Sequence, residues 1–109
     1  MSSINVVLCS CPAEQAETIA RALVEQRLAA CVNLLPGSTG IYRWEGRIRA
    51  DAETTMIIKT ASDRVDALRD GILALHPHNV PEIVVLRVDG TASHGTYLEW
   101  VIAETRPLE

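Results

Sequence analysis

The sequence predicts an α+β sandwich, and two observations carry that prediction. Short β-branched apolar runs alternate with segments of helical spacing, in the order β-α-β-β-α-β with one further helix at the end. The central two strands are joined by a tight turn with no helix between them, which makes the chain two split β-α-β units. That order gives a ferredoxin-like sandwich, an antiparallel sheet of spatial order 4-1-3-2 with helices covering one face.

Each element follows from its residues. "INVVLC" (4–9) is short, apolar and β-branched and reads as a buried strand. Pro12 suits the first position of a helix, with Cys11 just outside it. Ala16, Ile19, Ala20, Leu23 and Val24 then mark one apolar stripe, predicting an amphipathic helix over 12–27. "LAACVNLL" (28–35) reads as a strand that Pro36-Gly37 breaks. "GIYRWEGRIRA" is strand, turn at Glu45-Gly46, strand, and "ETTMIIKT" (53–60) continues the returning strand. Ser62 is placed to cap a second helix whose buried stripe is Val65, Leu68, Ile72 and Leu75. "EIVVLRV" (82–88) is the last strand, and 93–105 the last helix, with Tyr97, Trp100 and Val101 on one face.

Composition narrows the function. A chain of 109 residues, about half of them apolar, fits one domain (1–109) with its own core. A net charge of −4 argues against nucleic acid or an anionic membrane as a partner. No apolar run approaches the roughly 20 residues of a membrane span. "MSSINVVLCSCP" lacks the basic region of a secretory signal, so a cytoplasmic protein is expected. Three cysteines in a reducing compartment read as free thiols.

Length adds an oligomer. Residues 48–60, fully extended, would reach about 43 Å at ~3.3 Å per residue, against a radius of gyration of about 13 Å for a compact monomer of this size. The hairpin must bend or reach a neighbouring subunit, and pairing there would also cover the apolar second face of the sheet.

The predicted topology brings sulfur and imidazole together. Strand 4 lies antiparallel beside strand 1, so Cys9-Ser10-Cys11 and His76-Pro77-His78 share one end of the sheet. Cys11 adjoins a helix N-terminus, where a thiolate is favoured. Thiolate with imidazole suits copper or zinc, whereas magnesium and calcium want oxygen ligands. Spacing alone leaves a plainer alternative open. Cys9 is then a small buried hydrophobe, His76 caps helix 2, and Pro77 stops it.

Six collinear stretches resemble one family: "VVLCSCP", "LAACVNLLPG", "IYRWEGRI", "MIIKT", "HPHNVPEIVVL" and "YLEWV". The sequence resembles the CutA family of divalent-cation-tolerance proteins. The resemblance implies a ferredoxin-like subunit in a PII-like homotrimer, with the long hairpin packed across it. It implies tolerance to copper or another divalent cation, metal binding, and no established enzymatic activity. The family's strand-1 cysteine falls on Cys9 and its histidine before the loop proline on His76. Where some members carry a second adjacent histidine, this chain has Leu75. His78 stands where tyrosine is frequent and is a candidate substitute ligand. The expected metal donors are therefore Cys9, His76 and His78.

Other polar residues carry two readings each. Tyr42 and Trp44 form either an exposed ligand-binding patch or, as the need for cover favours, a packing surface for a neighbouring subunit. Arg43, Arg47 and Arg49 either hold an anion or form a solvated face paired with Glu45 and Asp51. Lys59 and Glu82 are either a functional pair in a subunit cleft or a structural ion pair. Alternatives to the metal-tolerance role are a PII-like sensor or scaffold for a small anion, metabolite or protein partner, and a thiolate–imidazole enzyme. The enzyme is the least favoured, because no orienting third residue or oxyanion hole is visible.

Overall fold

The computed structural model describes residues 3–108. Its element order is β1 (Ile4–Cys11), α1 (Ala13–Glu25), β2 (Cys31–Trp44), β3 (Arg47–Ala61), a 3-10 turn (Ser62–Arg64), α2 (Val65–Leu75), β4 (Val84–Arg87) and α3 (Gly95–Glu104). The sheet is antiparallel in the order β2-β3-β1-β4, as the sequence predicts.

β1 is paired on both sides. Cys9 faces Met56 across one edge, and Leu8 faces Val84 across the other. Side chains alternate between the two faces. Val7, Cys9 and Cys11 point toward the helices and pack with Met56, Ile58, Leu23, Leu68 and Ile72 in the main core. The stripe of α1 is Ala16, Ile19, Ala20 and Leu23, and that of α2 is Leu68 and Ile72. Leu75, predicted to belong to that stripe, is exposed.

The second face carries Val6 and Leu8 of β1, Ile57 of β3, Leu35 of β2, and Val84 and Leu86 of β4. Leu35, Val84 and Leu86 are each more than two-fifths exposed in the single chain. Among the described residues, cover on this face comes at the end nearest Ile4, where Ile4 and Ala30 pack with Leu98 and Val101 of α3. The buried pair on α3 is thus Leu98 and Val101. Tyr97 and Trp100 are exposed and lie against each other, 5.7 Å between ring centroids.

Two boundaries differ from the sequence reading. Pro36-Gly37 does not end β2; the pairing slips between Leu35 and Ser38 and resumes to Trp44. A bulge accommodates the residue that has no N–H, and Gly37 takes the φ of +84° that the irregularity needs. β4 begins only at Val84, because Pro81 cannot donate to a ladder. Ser62 opens the 3-10 turn without capping it, and its hydroxyl bonds the Ser3 hydroxyl at 2.7 Å.

β2 and β3 outrun β1. The β1 ladder stops at Cys11–Thr54, and residues 38–53 continue as a two-stranded arm. The longest dimension of the chain is 44 Å. The arm's outermost apolar residues, Ile41 and Ile48, are exposed, as are Tyr42 and Trp44.

An arginine knot fastens the opposite end. Arg27, at a φ of 59° beyond α1, donates to the carbonyls of Arg106 (2.6 Å) and Ala103 (2.8 Å). Arg106 makes a two-pronged bond to Asp63 at 2.8 and 2.6 Å. The Arg106 guanidinium holds the Asp63 carboxyl below its ordinary 3.8. A folded-state pKa below the unfolded one means that the pair's stabilisation is complete above about pH 4 and is lost as pH falls further. Both side chains are largely exposed, so the pair contributes only ~0.2–1 kcal/mol. We expect Asp63→Asn to lower the urea midpoint slightly at pH 7, with the gap to the wild type closing below pH 3.8.

Candidate functional site

The antiparallel β1–β4 pairing brings the His-Pro-His loop to the end of β1, as the topology predicts. His76 ends α2, its N–H bonding the Ile72 carbonyl at 2.8 Å. Its extended backbone then turns the chain out of the helix, and Pro77 prevents continuation. The imidazole is buried, with Nε2 2.7 Å from the Ser10 carbonyl oxygen. A carbonyl only accepts, so Nε2 carries the proton. Nδ1 is then the acceptor, and the His78 backbone N–H donates to it at 3.1 Å. Both ring nitrogens are satisfied by backbone. The His78 ring lies against the His76 ring, centroids 4.9 Å apart, and is itself exposed.

Cys9 and Cys11 are fully buried on the helix-facing side of β1. The Cys9 thiol makes a long contact, 3.8 Å, as donor to the same Ser10 carbonyl. Burial, then the charges of Cys11 and Glu82, push the Cys9 thiol up to about 12. The expected Cys11 thiolate is overturned. Burial raises its pKa first, and Glu53 and Glu14 raise it further, so the helix N-terminus does not prevail. All three cysteines are free thiols.

These residues do not fit a resident metal centre. Among the described residues no group of three or more His, Cys, Asp or Glu is placed to hold a metal ion. Cys9 and His76 converge on Ser10, as the topology requires, but they converge on a carbonyl oxygen that both address as donors. His78 is the expected donor whose side chain stands open.

A cleft of about 560 Å³ lies beside this corner, between the projecting arm and the loop. Tyr42, Trp44 and Arg49 line it from the arm, and Pro77, His78 and Val80 from the loop. Asp51, Glu53 and Glu82 bring three carboxylates to the same lining. Tyr42 donates its hydroxyl to Asp51, and that bond raises the tyrosine pKa. The Glu53 carboxylate lies over Gly40, where a Cβ would push that flexible side chain aside. Charge alternation along the hairpin misleads about these groups. Among the described residues the hairpin arginines form no ion pair with Glu45 or Asp51. Lys59 does not pair with Glu82; it donates to Asn33 and approaches the Cys31 sulfur at 3.9 Å. Cys31 is half-buried beside it.

Fold and cleft define a class: a PII-like α+β subunit with an open sheet face and a long arm. The CutA1 divalent ion tolerance protein family model matches residues 5–104. The chain belongs to that family. It is 46% identical over 102 residues to the divalent-cation tolerance protein CutA of Thermus thermophilus, covering 93% of this chain and 97% of that one. It is 47% identical over 100 residues to human protein CutA, covering 91% of this chain but 55% of the longer human protein. Its fold superposes on the PII-like protein CutA of Nostoc sp. PCC 7120 with a TM-score of 0.91 at 39% identity, covering 95% of this chain and 99% of that one.

With both β1 thiols buried and Cys9 pushed up to about 12, we expect negligible alkylation of Cys9 and Cys11 by iodoacetamide at pH 8. Denaturant should release both at once, as peptide mass spectrometry would record.

Proposed function

We propose that this chain is the subunit of a cytoplasmic PII-like homotrimer that contributes to divalent-cation tolerance. On this reading it meets copper or another divalent ion weakly, through donors open at the cleft, and it catalyses no reaction. The observation that carries the metal reading is the exposed His78 imidazole on a lining that also holds Asp51, Glu53 and Glu82. Imidazole and carboxylate are ordinary donors for copper and zinc. The lack of a closed three-donor group fits transient contact with the ion better than a resident cofactor.

Assembly is supported by the uncovered surface. The second sheet face is an apolar patch of Val6, Leu8, Ile57, Val84 and Leu86, and among the described residues the β2 and β4 edges have no strand partner. A soluble monomer that left such a face and such edges bare would aggregate. Among the described residues no helix is long and apolar enough to cross a membrane.

A second reading draws on the cleft itself. A mixed wall of Tyr42, Trp44 and Arg49 facing carboxylates suits a small polar metabolite. Three carboxylates against one guanidinium disfavour a simple anion.

Light scattering should give a mass three times that of the 11.9 kDa chain, and Leu8→Glu should shift it to smaller species or abolish folding. Calorimetric titration with Cu(II) or Zn(II) should show weak binding that falls several-fold in His78→Ala and survives in Cys9→Ala. Equal binding by all three proteins would remove His78 as a donor, and no binding by any would remove the metal reading. Stabilisation by a metabolite but by no metal in a thermal-shift screen would favour the second reading.

A further inference from the structure

We infer that His76 is a backbone clip, not a metal seat: its imidazole fastens the 76–80 loop to the end of β1, and the Cys9–His76 corner holds no metal in the folded protein. The inference rests on the cleft being the place where the chain meets metal, and it separates the open donor there from the two buried candidates.

Three observations carry it. The first is the direction of the Nε2 bond. The Ser10 oxygen lies 2.7 Å from Nε2. A metal on that nitrogen would stand about 2.0 Å out, almost on top of the oxygen. Nε2 is therefore closed to a metal while β1 and the loop keep their places.

The second is the other ring nitrogen. Nδ1 accepts the His78 backbone N–H at 3.1 Å. A metal there would displace that hydrogen and leave a backbone donor without its partner beside a buried ring. The loop that makes the bond also supplies Pro77, His78, Asn79 and Val80 to the cleft wall.

The third is the reason Cys9 and His76 are close at all. A carbonyl oxygen has two lone pairs. The Ser10 oxygen receives one strong bond from His76 and one long contact from the Cys9 thiol. The carbonyl accounts for the sulfur–imidazole juxtaposition with no ion. Cys9 is completely buried among Val7, Met56 and Ile58 and offers no path to solvent.

His76 is thus a positioning residue for one wall of the cleft. Long-range 1H–15N spectra of the intact, histidine-labelled oligomer at pH 7.5 test this directly. We expect the pattern of a neutral ring protonated on Nε2 for His76, unchanged by stoichiometric Zn(II) or by Cu(I) under anaerobic conditions, while the His78 ring signals move. His76→Gln, whose amide can still donate to Ser10, should hold the melting temperature closer to wild type than His76→Ala. The alanine variant should also show faster hydrogen exchange at 76–80. Loss of the Nε2–H pattern with movement of both His76 nitrogens on adding either metal would overturn the inference. If no signal moves and no metal binds by calorimetry, the metal reading of the cleft fails and the clip stands.

Discussion

The molecule is organised by the two-sided pairing of β1. This strand is the one whose neighbours on both sides come from distant parts of the chain, β3 at one edge and β4 at the other. Its ladder with β3 runs on through Ser10 and Cys11, but its ladder with β4 ends at Leu8, opposite Val84. The Ser10 carbonyl consequently points at the loop ahead of β4, and the His76 ring takes it up. A buried carbonyl left without a donor costs about 1–3 kcal/mol, so the fit between strand end and loop is an energetic constraint as well as a geometric one.

Alternation along β1 then divides the chemistry between two faces. The inward set, Val7, Cys9 and Cys11, becomes core, which removes both thiols from solvent and raises their pKa values. The outward set, Val6 and Leu8, joins an apolar sheet face that, among the described residues, is covered at its α3 end. β3 continues well beyond β1, so the arm has no third strand to rest on. The cleft arises from that mismatch in length, with the arm as one wall and the loop as the other. The strand's own periodicity buries the Cys9 and Cys11 sulfurs, while the His78 imidazole and the Asp51, Glu53 and Glu82 carboxylates line the cleft.

Strand order, helix count and the meeting of β1 with the His-Pro-His loop are legible in the sequence because they rest on long apolar runs of fixed period. The continuation of β2 past Pro36-Gly37 is not, since a bulge and a chain break share the same residues. Cys11 is misread for a related reason. Helix-terminus reasoning places it at a favourable dipole, but it is also the last inward residue of β1, where burial and then Glu53 and Glu14 raise its pKa. The role of His76 has no side-chain signature, because both of its partners are backbone groups, Ser10 C=O and His78 N–H. The cleft carboxylates escape notice because Asp51 and Glu53 look like solvent-facing hairpin charges until the arm and the His-Pro-His loop are seen to face each other across them.

The claim that β1 is the structural keystone can be put to amide hydrogen exchange. The amides of residues 5–9, together with those of Met56–Thr60 opposite them, should be the slowest in the protein, exchanging only through global unfolding. The arm at 40–50 and helix α3 should exchange through smaller openings. Were residues 5–9 to exchange as quickly as α3 under the same conditions, the two-sided ladder would not be what holds this fold, and the placement of the Ser10–His76 contact would need another cause.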